Sequence, residues 1–272
     1  MSNIVNNETW NIVTTRLQCV SQQLPARTPH GRKPRAPKRV IAGAYPIDTG
    51  HARIVPDPER DGGYTLEVNN VPSSYVVPGA PEVLEYEYMR QIACAIAAWG
   101  PPEPFTAVHL GAAGCALPSY CAHRFGGHHT AVELDRGLAR LVRDAFDPSV
   151  EIAVAEARAF THALAPESVD LIVRDVFAGP DTPRPLTTVE FYRAVHRALT
   201  PGGLFVANIG DRAGLPLTRA ELAGLGEVFT HTAFAGRADA YGNAIVAASD
   251  TPLAIEGFKA GRLLDHAAPH RD

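Results

Sequence analysis

Four apolar runs in the middle of this chain each end on a small or acidic residue, and chemistry is to be sought at those ends. The run Ala107–Leu110 gives way to Gly111, Ala112, Ala113 and Gly114, followed by Cys115 and Ala116. Side chains this small let a backbone come close to a ligand. The helix expected next presents free N–H groups and the positive end of its dipole. The spacing is not a strict G-x-G-x-x-G, so the loop alone reads equally as a tight turn. Glu133 ends the second run, 22 residues beyond Gly111. An acid at that distance accepts hydrogen bonds from ribose hydroxyls in nucleoside-binding sheets. The third run ends in Ala155-Glu156-Ala157, where a carboxylate can accept from an adenine amino group. The fourth ends at Asp175. Asp175 thus adds a third carboxylate to the same crevice, outside the carboxyl ends of the strands. Tyr64, Tyr86, Asp181 and Tyr241 are further candidate site residues. Each acid by itself also reads as a solvated strand end, and Tyr241 as a hairpin-turn residue. The set of strand ends, taken together, points to a nucleoside site. His123, His128 and His129 lie near Cys121, but neighbours on a strand point to opposite faces, so no metal site is expected.

The elements that must position these residues follow from periodicity. Residues 105–209 alternate short apolar runs with helical stretches: strands at 107–111, 130–134, 150–155, 169–175 and 204–209, and helices at 115–125, 136–145, 157–163 and 187–199. Near-continuous apolar strands between helices mean a parallel sheet covered on both faces. Glu227–Phe234 and Ala244–Ser249 read as strands joined by GRADAYGN, a terminal hairpin that makes the seventh strand antiparallel. Upstream, the three- and four-residue steps of Pro81–Trp99 predict a helix stopped by Gly100-Pro101-Pro102. His51–Pro56, Tyr64–Asn69 and Ser73–Val77 predict three antiparallel strands. The expected fold class is α/β: a Rossmann-like AdoMet methyltransferase fold, with a mostly parallel seven-stranded sheet and a small N-terminal β-meander. Expected boundaries are a flexible basic tail at 1–40, the meander at 41–81 and the nucleoside-binding transferase domain at 82–272.

Composition sets the outer limits. The chain has 272 residues and a net charge of −4 that is unevenly spread. Residues 1–40 carry seven Lys/Arg against the single acid Glu8, while 41–272 carry 18 Lys/Arg against 28 Asp/Glu. The segment PARTPHGRKPRAPKR, with four prolines and six bases, cannot bury apolar area and reads as a solvated tail. An acidic globule argues against a nucleic-acid partner. No apolar run reaches the roughly 18 residues that span a bilayer, so no membrane partner is expected. Cys19, Cys94, Cys115 and Cys121 form no C-x-x-C pair or zinc spacing, and reduced thiols in a cytoplasmic protein are the simple expectation. Exposed edges of the meander would allow pairing with a second copy, hence a homodimer.

At this point the sequence resembles the spermidine synthase (polyamine aminopropyltransferase) family over roughly residues 45–250. The resemblance is carried by Ser73-Ser74-Tyr75, Leu84–Met89, Leu110–Pro118, Val132–Asp135, Asp170–Gly179, Leu186–Tyr192 and Leu199–Leu204. It implies an AdoMet or decarboxylated AdoMet cofactor, a small-molecule acceptor, and transfer of a methyl or aminopropyl group to an amine. By position, the Gly111–Gly114 loop would hold the sulfonium end, Glu133 the ribose, Glu156 with Ala157 the adenine, and Asp175 would face the reacting amine. Three departures stand out. The family's GGGDG loop has an acid where this loop has none. Its DSSDP-like segment has two aspartates where Asp175-Val176-Phe177-Ala178 has one, and its YHE segment is replaced by Tyr86-Glu87-Tyr88. The nucleoside half is kept and the polyamine half changed. The rival readings are a non-catalytic adenosyl-nucleoside-binding protein and an NAD-dependent α/β enzyme.

Overall fold

The computed structural model describes residues 40–264 and 267–272. The expected basic tail at 1–40 lies outside the described residues, apart from Val40. Four strands, not three, make the antiparallel meander: β1 (Gly43–Ile47), β2 (Gly50–Pro56), β3 (Tyr64–Val68) and β4 (Val71–Val76). The additional β1 carries Pro46, which lacks an N–H for a ladder. It is tolerated there because β1 is the edge of its sheet and bonds only β2. The β3–β4 connection is the two-residue turn Asn69-Asn70, with φ of 51° and 67°. Both residues adopt the left-handed conformation that asparagine tolerates and tight hairpins need. One face of the meander, through Ala52, Ile54 and Leu66, packs on Leu138, Val142 and Phe146 of a helix from the main domain.

That domain begins with α1 (Glu87–Trp99). The expected start at Pro81 is six residues early, because Pro81–Tyr86 forms turns rather than a helix. The Arg90 guanidinium bonds the Leu84 carbonyl at 2.8 Å and the Glu85 carbonyl, fixing this entry segment against α1. Then follow β5 (Thr106–Leu110), α2 (Ala116–Phe125), β6 (His128–Glu133), α3 (Arg136–Phe146), β7 (Glu151–Val154), α4 (Ala157–Ala163), β8 (Val169–Arg174), α5 (Val189–Ala198), β9 (Leu199–Asp211), α6 (Pro216–Gly226), β10 (His231–Ala235) and β11 (Gly242–Ser249). A two-residue strand, β12 (Lys259–Ala260), adds an eighth member at one edge, giving the order β12-β10-β11-β9-β8-β5-β6-β7. β7, β6, β5, β8 and β9 are mutually parallel, and β11 runs antiparallel between β9 and β10. This is the methyltransferase-type sheet that the alternating pattern predicts. The expected strand at Glu227 starts instead at His231, because α6 and its exit turn occupy the residues before it.

The sheet is covered on both faces. Ile172, Phe191, Tyr192 and Phe205 fill one side with α5 and α6. Ile92, Ile96, Leu171 and Val206 fill the other with α1 and α2. Each large apolar side chain buried this way contributes about 1.5–3 kcal/mol relative to exposure. The strand order brings the C-terminal ends of β8, β5, β6 and β7 side by side, so Asp175, Gly111, Glu133 and Glu156 stand in one row.

Candidate active site

The β5–α2 loop is built by close backbone approach. Gly111 has φ +89°, and a Cβ there would lie 2.1 Å from the Asp175 carbonyl oxygen, so no side chain fits. A Cβ on Gly114 would meet Cβ of Ser74 at 2.7 Å, so the loop also lies against β4 of the meander. The N–H groups of this loop are all taken up by the protein itself. Gly111 donates to the Val132 carbonyl (2.9 Å), Gly114 to the Ser74 hydroxyl (3.0 Å) and Cys115 to the Ala112 carbonyl (2.7 Å). Ala112 and Ala113 donate to one oxygen of Glu133 at 3.4 and 3.3 Å. The other oxygen of Glu133 accepts from Asp135 N–H at 3.0 Å. Burial pushes the Glu133 carboxyl above its ordinary pKa, against the pull of these three donors. The loop is therefore backed by a carboxylate, and the N–H groups of residues 111–115 all have partners within the protein.

Glu156 caps α4: its two oxygens accept from Arg158 N–H (2.8 Å) and Ala159 N–H (2.7 Å). The carboxylate remains exposed and keeps lone pairs free for a further donor, while Ala157 behind it is buried. Asp175 is held by two uncharged donors, the Tyr88 hydroxyl at 3.0 Å and the Asn208 amide at 2.9 Å. Burial raises its pKa above the ordinary aspartate value, and those two hydrogen bonds oppose the rise. A cavity between α1, the start of α2 and β4 is lined by Ser74, Met89, His109, Leu117, Val173 and Asp175.

The candidate acceptor residues divide. Tyr86 stacks on Tyr88, ring centroids 6.0 Å apart, and so stands one ring from Asp175. At Gly210 of β9 a side chain would meet the Pro180 carbonyl (2.7 Å), the Phe177 ring (3.3 Å) and the Tyr241 hydroxyl (3.5 Å). Tyr241, itself 69 % exposed, thus comes together with the segment after Asp175. Asp181 is exposed in that segment, its carbonyl accepting from Ala178 N–H at 2.9 Å. Tyr64 is elsewhere: it packs on Phe146 at 6.4 Å, in the core between the meander and α3, where its ring serves packing.

The segment from Asp175 to Thr188 is anchored at both ends. Asp175 N–H bonds the Leu110 carbonyl at 2.8 Å. At the far end Arg174 bonds the Leu186 carbonyl at 2.7 Å and Arg158 bonds the Pro185 carbonyl, while Thr188 caps α5. Tyr88, Asn208 and His109 are the residues that sequence reading missed. The first two touch Asp175 from 87 and 33 positions away, and nothing in their local pattern marks them. The histidines near Cys121 diverge: His128 is exposed, whereas His129 turns inward onto His109.

No protein-family model matches the chain, and no curated protein sequence matches it. Solved structures do. A crystal structure of a probable spermidine synthase from Corynebacterium glutamicum is similar at 35% identity and a TM-score of 0.81, covering 86% of this chain and 97% of that one. A spermidine synthase in complex with the transition state analogue AdoDATO is similar at 18% identity and TM-score 0.59, over 83% of this chain and 80% of that one. Human methyltransferase-like protein 13 in complex with SAH is similar at 24% identity and TM-score 0.54, over 61% and 83%. The last two speak for the fold alone.

Proposed function

The chain belongs to the spermidine synthase-like family with the methyltransferase fold, and we propose that it is an AdoMet-type alkyl transferase acting on a small amine. The observation that carries this reading is the loop at Gly111–Gly114: its N–H groups are satisfied internally and a carboxylate stands behind it. A dinucleotide pyrophosphate uses free loop donors, which residues 111–115 do not offer, whereas the strand-end carboxylate suits the ribose of either nucleoside. A sulfonium, being cationic, needs neither donor nor anion shield. This disfavours the NAD reading. In the proposed arrangement the loop takes the sulfonium side, Glu133 accepts from the ribose hydroxyls, and Glu156 and Ala157 border the adenine.

A bound adenosyl sulfonium would supply an electrophilic carbon for the amine nitrogen and a thioether leaving group that keeps the electron pair of the broken carbon–sulfur bond. The nitrogen must shed a proton, and Asp175 is the group we assign to accept or steer it. Tyr88 and Asn208 hold the carboxylate in one orientation for this task. Tyr86, Asp181 and Tyr241 border the acceptor side. Alignment and water exclusion account for the rest, because the leaving group is already good.

Calorimetry with methylthioadenosine, AdoMet, decarboxylated AdoMet and NAD tests the reading. Adenosyl sulfur compounds should bind and NAD should not, and Glu133→Ala should weaken binding by about tenfold or more through loss of charged hydrogen bonds. Absence of binding by every adenosyl sulfur compound overturns the proposal.

A further inference from the structure

Arg174 ends β8 and Asp175 follows it, yet the two side chains run to opposite faces of the sheet. Asp175 reaches the Tyr88 hydroxyl of α1, while Arg174 is fully buried against α5 and α6. Its guanidinium pairs with both oxygens of Glu221, at 2.7 and 3.1 Å, and the Tyr192 hydroxyl donates to the same carboxylate at 2.7 Å. Its other two bonds go to main-chain carbonyls, those of Leu186 at 2.7 Å and Asn208 at 3.3 Å. A buried Arg–Glu pair is often matched in stability by apolar side chains of the same volume. The cost of desolvating this one therefore directs attention to what the guanidinium holds.

It holds the surroundings of Asp175. Asn208 has its carbonyl on Arg174 and its side-chain amide on the Asp175 carboxylate, the latter at 2.9 Å. Nothing else among the described residues aims that amide, because its buried Oδ1 has no partner there. Its direction is thus set by the main chain of Asn208, which Arg174 ties down from the far face of the sheet. The groups that face Asp175 are the Tyr88 hydroxyl from α1, the Asn208 amide from β9 and the His109 ring from β5, which burial keeps neutral. Arg174, from behind, is the cation that acts on it. We propose that Arg174 is a positioning residue for the transfer, aiming the Asn208 amide at Asp175 and placing a cation behind the carboxylate. The inference rests on the transferase reading above and on the role given there to Asp175. Glu221 sets how much of the charge is felt: paired, it covers part of it, and unpaired, the whole charge favours the ionised carboxylate.

Isotope labelling of aspartate and asparagine side chains follows the Asp175 carboxyl and the Asn208 amide by NMR as pH is varied, with Asp175→Asn and Asn208→Ser identifying the two signals. In the wild type the two should titrate together. In the double variant Arg174→Met with Glu221→Leu, the amide should lose most of its response to pH, and the carboxyl midpoint should rise by about one pH unit. Glu221→Gln keeps the size of the side chain and an acceptor for Arg174 but uncovers the cation. There the amide response should stay, and the midpoint should fall by about one pH unit. A merely structural role would lower the denaturant midpoints of the variants and leave both NMR signals as in the wild type. A wild-type amide that ignores the carboxyl overturns the inference, as does an amide response retained in the double variant. So does a carboxyl midpoint that fails to move in the stated direction in a folded variant. In each of these cases methylthioadenosine binding, measured on the same wild-type protein, leaves the transferase reading standing. Failure of the wild type to bind any adenosyl sulfur compound overturns that reading and this role with it.

Discussion

Asp175 shows how a single residue can be tuned by neutral neighbours. Burial raises its pKa, and the donors Tyr88 and Asn208 restrain that rise. In the proposed role the ionised carboxylate is the active form. The acid limb of the rate profile should therefore have its midpoint above the ordinary aspartate value of about 3.9. Tyr88→Phe removes a donor that favours the ionised form, so the same limb should move to higher pH. Asp175→Asn should lower transfer by about 100-fold or more while leaving methylthioadenosine affinity nearly unchanged. Rate–pH profiles and calorimetry on the two variants check both statements.

At the scale of elements, Asp135 joins the meander to the sheet. It caps α3 through Leu138 N–H (2.8 Å) and also takes Asp48 N–H (3.1 Å), Thr49 N–H (2.7 Å) and the Thr49 hydroxyl (2.7 Å) from the β1–β2 turn. Burial pushes its pKa up, but these donors outweigh burial and hold the carboxyl below its ordinary value. With the folded pKa depressed, the stabilisation is complete above the unfolded value of about 4. It is lost as pH falls through the lower folded value. Asp135→Ala should cost about 3 kcal/mol near neutral pH, from one helix cap and several charge-assisted bonds. Urea unfolding at pH 7 and over the acid range reads this, with a flatter acid dependence in the variant.

Elements were legible where pattern and burial agree. The central β5, β8 and β9 strands announce themselves because both faces are largely buried, which makes their runs mostly apolar. The row Gly111, Glu133, Glu156, Asp175 followed from those runs alone. β1 was hidden because Pro46 and Gly43 read as turn residues. α6 was hidden because Pro216, Gly224 and Gly226 weaken its helical signal, and its N-cap position, Leu215, makes no side-chain cap. The pattern predicts helix α1 from Pro81 because Val83 and Tyr86 happen to continue its period. Tyr88 and Asn208 act at Asp175 through contacts that only the tertiary fold creates, and His109 sits in an otherwise apolar strand whose partner is on another.

Across the whole molecule, one buried cation ties the parts together. Arg174, fully buried, pairs with Glu221 of α6 at 2.7 Å and bonds the Leu186 carbonyl (2.7 Å) and the Asn208 carbonyl (3.3 Å). The Tyr192 hydroxyl of α5 donates to Glu221 at 2.7 Å. Desolvating two charges offsets most of their attraction, so the pair itself adds little net stability, yet removing one partner strands the other. Glu221→Leu should cost about 3–5 kcal/mol, and adding Arg174→Met should recover much of it; denaturant midpoints of the single and double variants decide this.

The same guanidinium has a consequence for time rather than energy. With Leu186 held by Arg174, Pro185 by Arg158 and Asp175 by Leu110, the segment after Asp175 is fixed at both ends. Its freedom is confined to the tip, residues 177–183, and even there Ala178 bonds Asp181. Loop tips of that size rearrange in nanoseconds to microseconds. Motion of this segment is therefore expected at its tip, while residues 184–188 stay fixed.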